Sequence, residues 1–213
     1  MSNVKRKIIR SVKRRLRDKR FVLVFIVASL LVGTFTYTMY MQNRRLAADP
    51  ATYSQLLNLI AKVESKGNYN AYFSNARNSS IDFTKMSVRE VRQWQEDFIR
   101  EGNVSSAVGK YQIISTTLDG LVKELGVDTN MPFDQSMQDR MAIALIERRG
   151  AEAYVNNELT KEEFAANLAK EWASLPKVIG ENPNQSYYAS DGLNKSLVRI
   201  DEVLKAIEPI SPN

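Results

Sequence analysis

Residues 60–75 read IAKVESKGNYNAYFSN. Apolar residues at helical spacing end in one glutamate, Glu64, and the pattern then breaks at Gly67 into asparagine, tyrosine and phenylalanine. Tyr53, Leu57, Ile60 and Glu64 keep an i, i+4, i+7, i+11 spacing, which sets all four on one face of a helix. A carboxylate on the buried side of a helix is partly desolvated, and at the helix C-terminus it also faces the negative end of the dipole. Both effects favour its protonated form. A glutamic acid kept protonated near neutral pH is what a general acid for glycosidic cleavage requires. The plain alternative is a helix-end glutamate that turns to water, and this helix alone does not decide between the two.

Composition removes most competing chemistries. The chain of 213 residues has no histidine and no cysteine. A Ser-His-Asp or Cys-His nucleophile cannot be built from it, and zinc sites, which lean on the same two residues, are excluded with them. No metal or organic cofactor is implied. What survives is the chemistry of carboxylates, hydroxyls, amides, lysines and tyrosines. The net charge of +6 suggests a nucleic-acid binder until the chain is divided. Residues 1–50 hold 12 basic side chains against Asp18 and Asp49, and residues 51–213 hold 18 basic against 22 acidic. The globular part is mildly acidic, and no nucleic-acid partner is expected for it.

The basic excess lies in residues 1–20, MSNVKRKIIRSVKRRLRDKR, and is followed by the uncharged FVLVFIVASLLVGTFTYTMYM. That stretch is close to the ~20 residues a helix needs to cross the hydrocarbon core. It exceeds the ~7–15 residue apolar region of a cleaved signal peptide. The reading is a cytoplasmic tail (1–20), an uncleaved transmembrane helix (21–42), a polar linker (43–52), a globular domain (53–208) and a short tail (209–213). A basic flank stays in the cytoplasm, so the domain would face the periplasm, held to the bacterial inner membrane or to a virion membrane by residues 21–42.

Past the linker the pattern is mostly helical. Ser87 with Glu90 predicts a capping box for a helix running to about Arg100, and Thr160 with Glu163 another for a helix ending near Leu175. Asp134 starts a helix through MQDRMAIALIERR that Gly150 terminates, and Leu193, Leu197, Ile200, Leu204 and Ile207 stripe a last one. Only NAYFSN (70–75) and SIDFTKM (80–86) look extended, enough for a small β-hairpin. Trp94 and Trp172 read as core, Arg148 and Arg149 as charge complements at a helix C-terminus, and Asn68, Asn70, Asn75 and Asn78 as turn formers. At 105–114, SSAVGKYQII sets small residues and Gly109 before Tyr111 and Gln112, which open the next helix. An aromatic face with a hydroxyl, next to an amide that both donates and accepts, suits a sugar.

VES (63–65) with the downstream AVGKYQI (107–113) resembles the signature of the lysozyme-like lytic transglycosylases. MQDRMAIALIERRGA (137–151) and AKEWASLPKV (169–178) look more specifically like the lambda-type phage endolysins, which carry a GRYQ loop, a Gln-rich helix ending in ERGA, and a WASLP segment. The likeness covers about residues 53–208. It implies an α+β, mostly helical lysozyme-like fold with a small β-hairpin, here preceded by one transmembrane helix. It implies peptidoglycan glycan strands as substrate and cleavage of the bond between N-acetylmuramic acid and N-acetylglucosamine to a 1,6-anhydro product. By matching motifs, Glu64 takes the acid and base role, Lys110, Tyr111 and Gln112 line the cleft, and Tyr187 or Tyr188 stands where relatives have a cleft tyrosine. Two departures stand out: the added membrane segment, and Lys110 where the phage motif has arginine, a planar fork replaced by a point charge.

A hydrolytic muramidase would pair Glu64 with a second carboxylate ~5–9.5 Å away. Asp82, in the expected hairpin, is the best-placed candidate, and Asp191 is a weaker one. The alternatives to a transglycosylase are therefore such a hydrolase, and a non-catalytic peptidoglycan-binding or virion structural protein. Proteins of a phage or of a secretion machine are the further partners an anchored enzyme of this kind would have.

Overall fold

The structure, a computed structural model, describes residues 33–34, 50–192 and 194–210. The chain divides after Ala48 into two units, and all the described residues but Gly33 and Thr34 belong to the second. The expected tail (1–20), most of the expected membrane span (21–42) and the start of the linker lie outside the described residues. Among the described residues no helix is long and apolar enough to cross a membrane.

Helix α1 (Pro50–Glu64) begins inside the expected linker, with proline at its first position, where the missing N–H costs nothing. The next helices are α2 (Val88–Arg100), α3 (Ser115–Leu125), α4 (Gln135–Arg148) and α5 (Ala151–Val155), followed by α6 (Lys161–Leu168) and α7 (Ile200–Ala206). Single 3-10 turns sit at Phe83–Lys85, Ala189–Asp191 and Glu208–Ile210. Both predicted capping boxes form, at Ser87 with Glu90 and at Thr160 with Glu163. Asp134 caps α4 by accepting from the Met137 N–H at 2.8 Å. Gly150 turns the chain at φ 104°, next to the Leu159 side chain.

Met141 to Ile146 are all buried, so α4 is apolar all round and forms the centre of the domain. Helix α1 packs on it and on α7, while α2 packs on α3 and α5 on α6. Phe83, Phe133, Phe164, Leu56, Leu118 and Leu168 are among the large side chains buried with it. Trp172 is buried, and Trp94 stacks on Phe98 at 4.6 Å with the edges of Phe83 and Tyr72 against it, so both tryptophans pack.

Three expectations are corrected. The hairpin does not form: among the described residues extended pairing is confined to isolated bridges, and those of this segment join Tyr72 to Asn75 and to Val108, and Val108 to Ile113. Asparagine side chains hold this segment instead. Asn78 donates to the carbonyls of Asn70 and Ile81 and accepts from the N–H groups of Ser80 and Ile81, and Asn68 donates to Ala76 and Asn78. Side-chain bonds of this kind compete with a strand ladder. The helix opened by Thr160 stops at Leu168, where tight turns carry the chain onward and bury Trp172. Of the last stripe, Leu193 lies outside the described residues, and the helix starts only at Ile200, with Leu197 exposed ahead of it.

Candidate active site

Glu64 is the last residue of α1, and the chain leaves the helix through Lys66 and Gly67, both at positive φ. The residue as a whole is half-buried, and its carboxyl is the more enclosed part. Burial pushes its proton affinity above the ordinary glutamate value, and the hydroxyl and backbone of Ser174 pull against that rise. The Ser174 hydroxyl donates to Glu64 Oε1 at 2.5 Å. The carboxyl is therefore governed by desolvation and one hydroxyl-bearing neighbour, which is the balance a proton donor needs.

Ser65 joins this helix end to the second motif. Buried beside Glu64, its hydroxyl donates to the Lys110 carbonyl at 2.7 Å. The loop before Lys110 is fixed from several sides: Phe73 N–H donates to Ala107, and Gly109 N–H donates to Ala71 at 2.7 Å. The Lys110 N–H donates to Gln138 Oε1 at 2.9 Å, and the Gln138 amide donates to the Tyr69 and Phe133 carbonyls. Gly109 sits at φ 78°, and a Cβ there would collide with the Gln138 side chain and press on Phe133. Only glycine lets α4 come this close.

Lys110 points into a polar cluster. Its ammonium donates to the Tyr69 hydroxyl at 2.9 Å, lies 3.5 Å from Asp139 Oδ1, and sits over the rings of Tyr69 and Tyr111 at 4.5 and 5.2 Å. Tyr111, expected in the lining, is only 1% exposed, and its hydroxyl donates to Asp139 at 2.6 Å. Its ring supports Lys110 from behind, and burial with the Asp139 carboxylate keeps its hydroxyl firmly protonated. Gln112 is half-exposed in the left-handed region at φ 51°, with its amide nitrogen donating back to the Gly109 carbonyl.

Tyr187 and Tyr188 are 49% and 39% exposed and meet edge to face at 5.2 Å. The Tyr188 hydroxyl donates to the Lys170 carbonyl at 2.8 Å, tying this segment to the turns after α6. Arg149, expected as a simple charge complement, pairs with the nearly buried Glu171 in those same turns at 2.6 Å, while Arg148 pairs with Glu124.

Asp82 is engaged within its own turn. It accepts from Asn70 and Thr84 and pairs with Lys85 at 2.5 Å, and these contacts, Lys85 first, hold its carboxyl below the usual aspartate range. Asp191 accepts from the backbone N–H and from the side-chain amide of Asn194.

Sequence reasoning missed Tyr69, Asp139, Gln138 and Ser174. All four lie inside quoted motifs, but no local spacing pairs Ser174 with a glutamate 110 residues away. The family model described as Endolysin matches residues 55–199. No curated protein matches the chain, and no solved structure matches it.

Proposed function

The chain belongs to the endolysin family, the peptidoglycan-degrading enzymes of phages, and from that premise we propose that it is a membrane-anchored lytic transglycosylase acting through Glu64. The glycan strand lies across the helix end, and the Glu64 carboxyl gives its proton to the glycosidic oxygen between N-acetylmuramic acid and N-acetylglucosamine. The bond from that oxygen to muramyl C1 breaks. The carboxylate left behind takes the proton from the muramyl C6 hydroxyl as that oxygen bonds to C1, closing the 1,6-anhydro ring and restoring the acid. Lys110, Gln112 and the exposed Tyr187 and Tyr188 supply sugar contacts, and Tyr111 holds Lys110 in place.

The observation that carries this reading is the solitude of Glu64. A hydrolytic mechanism needs a second carboxylate ~5–9.5 Å away that is free to act on water or on the sugar. Among the described residues the Ser174 hydroxyl is the side-chain hydrogen-bond partner of the Glu64 carboxyl, and Asp82 spends its oxygens on Asn70, Thr84 and Lys85. Residues 21–42 anchor the enzyme, with the domain on the periplasmic side or on a virion, so that the wall is opened locally.

Mass spectrometry of muropeptides released from purified peptidoglycan by the full-length chain tests the chemistry. The expected products are one water lighter than reducing-end muropeptides and are absent with Glu64→Gln. Reducing-end products would make the enzyme a hydrolase, and retained wall binding without turnover would make it a binding protein. Protease digestion of spheroplasts tests the topology: cleavage of residues 53–208 from outside is expected, and their protection would overturn it.

A further inference from the structure

WASLP supplies the only side-chain hydrogen bond to Glu64 among the described residues, and the segment is built to hold it. Ser174 is 6% exposed, and its carbonyl accepts the Leu197 N–H at 2.8 Å. On one side Trp172 donates its indole N–H to the Tyr111 carbonyl at 3.3 Å, and Leu175 N–H returns to Trp172 at 3.0 Å. On the other side Pro176 bridges Ser186 and Lys177 N–H donates to Gln185 at 2.8 Å. Val178 follows at φ 70°, a left-handed conformation that a β-branched residue keeps only where its surroundings impose it. A serine fixed this firmly, at a separation within the ~2.5–2.7 Å of hydroxyls bonded to ionised oxygens, does more than fill space.

Resting on the transglycosylase reading, we infer that Ser174 is a positioning residue for Glu64: its hydroxyl occupies Oε1, so that the transferable proton is carried on Oε2 and returns there. With one oxygen taken, only the other presents its proton to the glycosidic bond and collects the proton of the C6 hydroxyl. The same hydroxyl stabilises the carboxylate formed between the two transfers, countering burial that would otherwise keep the acid from giving up its proton. Several charged groups on the elements around α1 are engaged elsewhere. Lys110 holds Tyr69 and Asp139, Glu171 holds Arg149, Glu147 accepts from Tyr53, and Glu208 pairs with Lys161.

The test uses full-length wild type, Ser174→Ala, Ser174→Thr and Glu64→Gln, with two readouts. One is the pH profile of muropeptide release. The other is the carbon-13 titration of the Glu64 carboxyl, assigned by its loss in Glu64→Gln. Ser174→Ala is expected to cut the rate about tenfold, as loss of a hydrogen bond to a charged group does. It is also expected to move both the alkaline limb and the Glu64 titration to higher pH, and Ser174→Thr to restore both. Should the alanine variant not fold, Ser174→Cys, a weaker donor, is expected to give a smaller displacement in the same direction. A folded Ser174→Ala with the wild-type titration and profile would overturn the inference, as would a rate loss with no change in either. If Glu64→Gln were as active as wild type, the transglycosylase reading would fall as well. A silent Glu64→Gln beside an unaltered Ser174→Ala would remove this inference alone.

Discussion

Glu64 and Asp82 are both carboxylates at the edge of a helical segment, and the protein treats them in opposite ways. Glu64 closes a helix, is half-buried, and is shifted upward against a single partner from far along the chain. Asp82 precedes a 3-10 turn, has its side chain 44% exposed, and is held low by Lys85, Thr84 and Asn70. A carboxylate satisfied by several near neighbours is fixed in its ionised form and organises its own loop. One taken out of water and given a single hydroxyl partner keeps its proton available. The difference lies in who supplies the partners, and it can be broken or sharpened by substitution.

Turnover should separate them most. Glu64→Gln keeps the shape and the bond from Ser174 but removes the transferable proton, and positioned acid catalysis contributes roughly 10²–10⁴-fold. A loss of at least ~100-fold in muropeptide release is expected. Asp82→Asn should stay within about threefold of wild type, as expected of a residue outside the chemistry. Equal losses in the two variants would restore the two-carboxylate mechanism.

The same division explains what could be read from sequence. Helix starts were legible because their signals are local: Ser87 with Glu90, Thr160 with Glu163 and Asp134 all cap where the pattern puts them. The buried stripe of Tyr53, Leu57 and Ile60 was legible because helical periodicity records which face is covered. The hairpin failed because asparagine side chains can satisfy a backbone as well as a strand can, and sequence does not say which they do. The burial of Tyr111 was not legible: an amphipathic residue beside a motif glycine suits a wall or a core equally, and here its hydroxyl goes to Asp139 with the ring covered. Ser174 lay inside the quoted WASLP, yet its role exists only after folding brings it to Glu64.

Because the surroundings of Glu64 come from distant segments, they should be sensitive to the scaffold in a way that the Asp82 turn is not. Gly109→Ala forces a Cβ into the Gln138 side chain at φ 78°, against the glutamine that holds Lys110 N–H. Strain at one such position costs about 1–3 kcal/mol, and the displaced buried amide adds to it. Urea unfolding should show a loss of about 2–4 kcal/mol with an unchanged slope. A neutral result would mean that the loop accommodates the change.

A smaller effect runs in the stabilising direction. Glu64 binds its proton more tightly folded than unfolded, so the native state holds more protons in the window between the two values. Stability from this group is full below the ordinary glutamate range and falls as pH rises through the folded value. Glutamine cannot ionise and escapes that fall. Thermal unfolding of Glu64→Gln near pH 8 should occur about 2–4 °C above wild type, the shift that ~1 kcal/mol produces in a domain of this size, and the gain should vanish near pH 4.

Asp82 should give the smallest effect and the opposite pH dependence. Its proton affinity is lower folded than unfolded, so its contribution is present above the ordinary aspartate range and lost as pH falls through the depressed folded value. Lys85, the largest influence, is 82% exposed, so water and salt screen the pair heavily. Asp82→Asn is therefore expected to lower the unfolding temperature by less than about 2 °C at neutral pH and low salt. That difference should shrink both in ~1 M salt and on acidification, where Glu64→Gln also converges on wild type, but from above. A large, salt-resistant loss at Asp82 would mean that its carboxylate is tied into the domain beyond its own turn, and the contrast between the two acids would then rest on position alone.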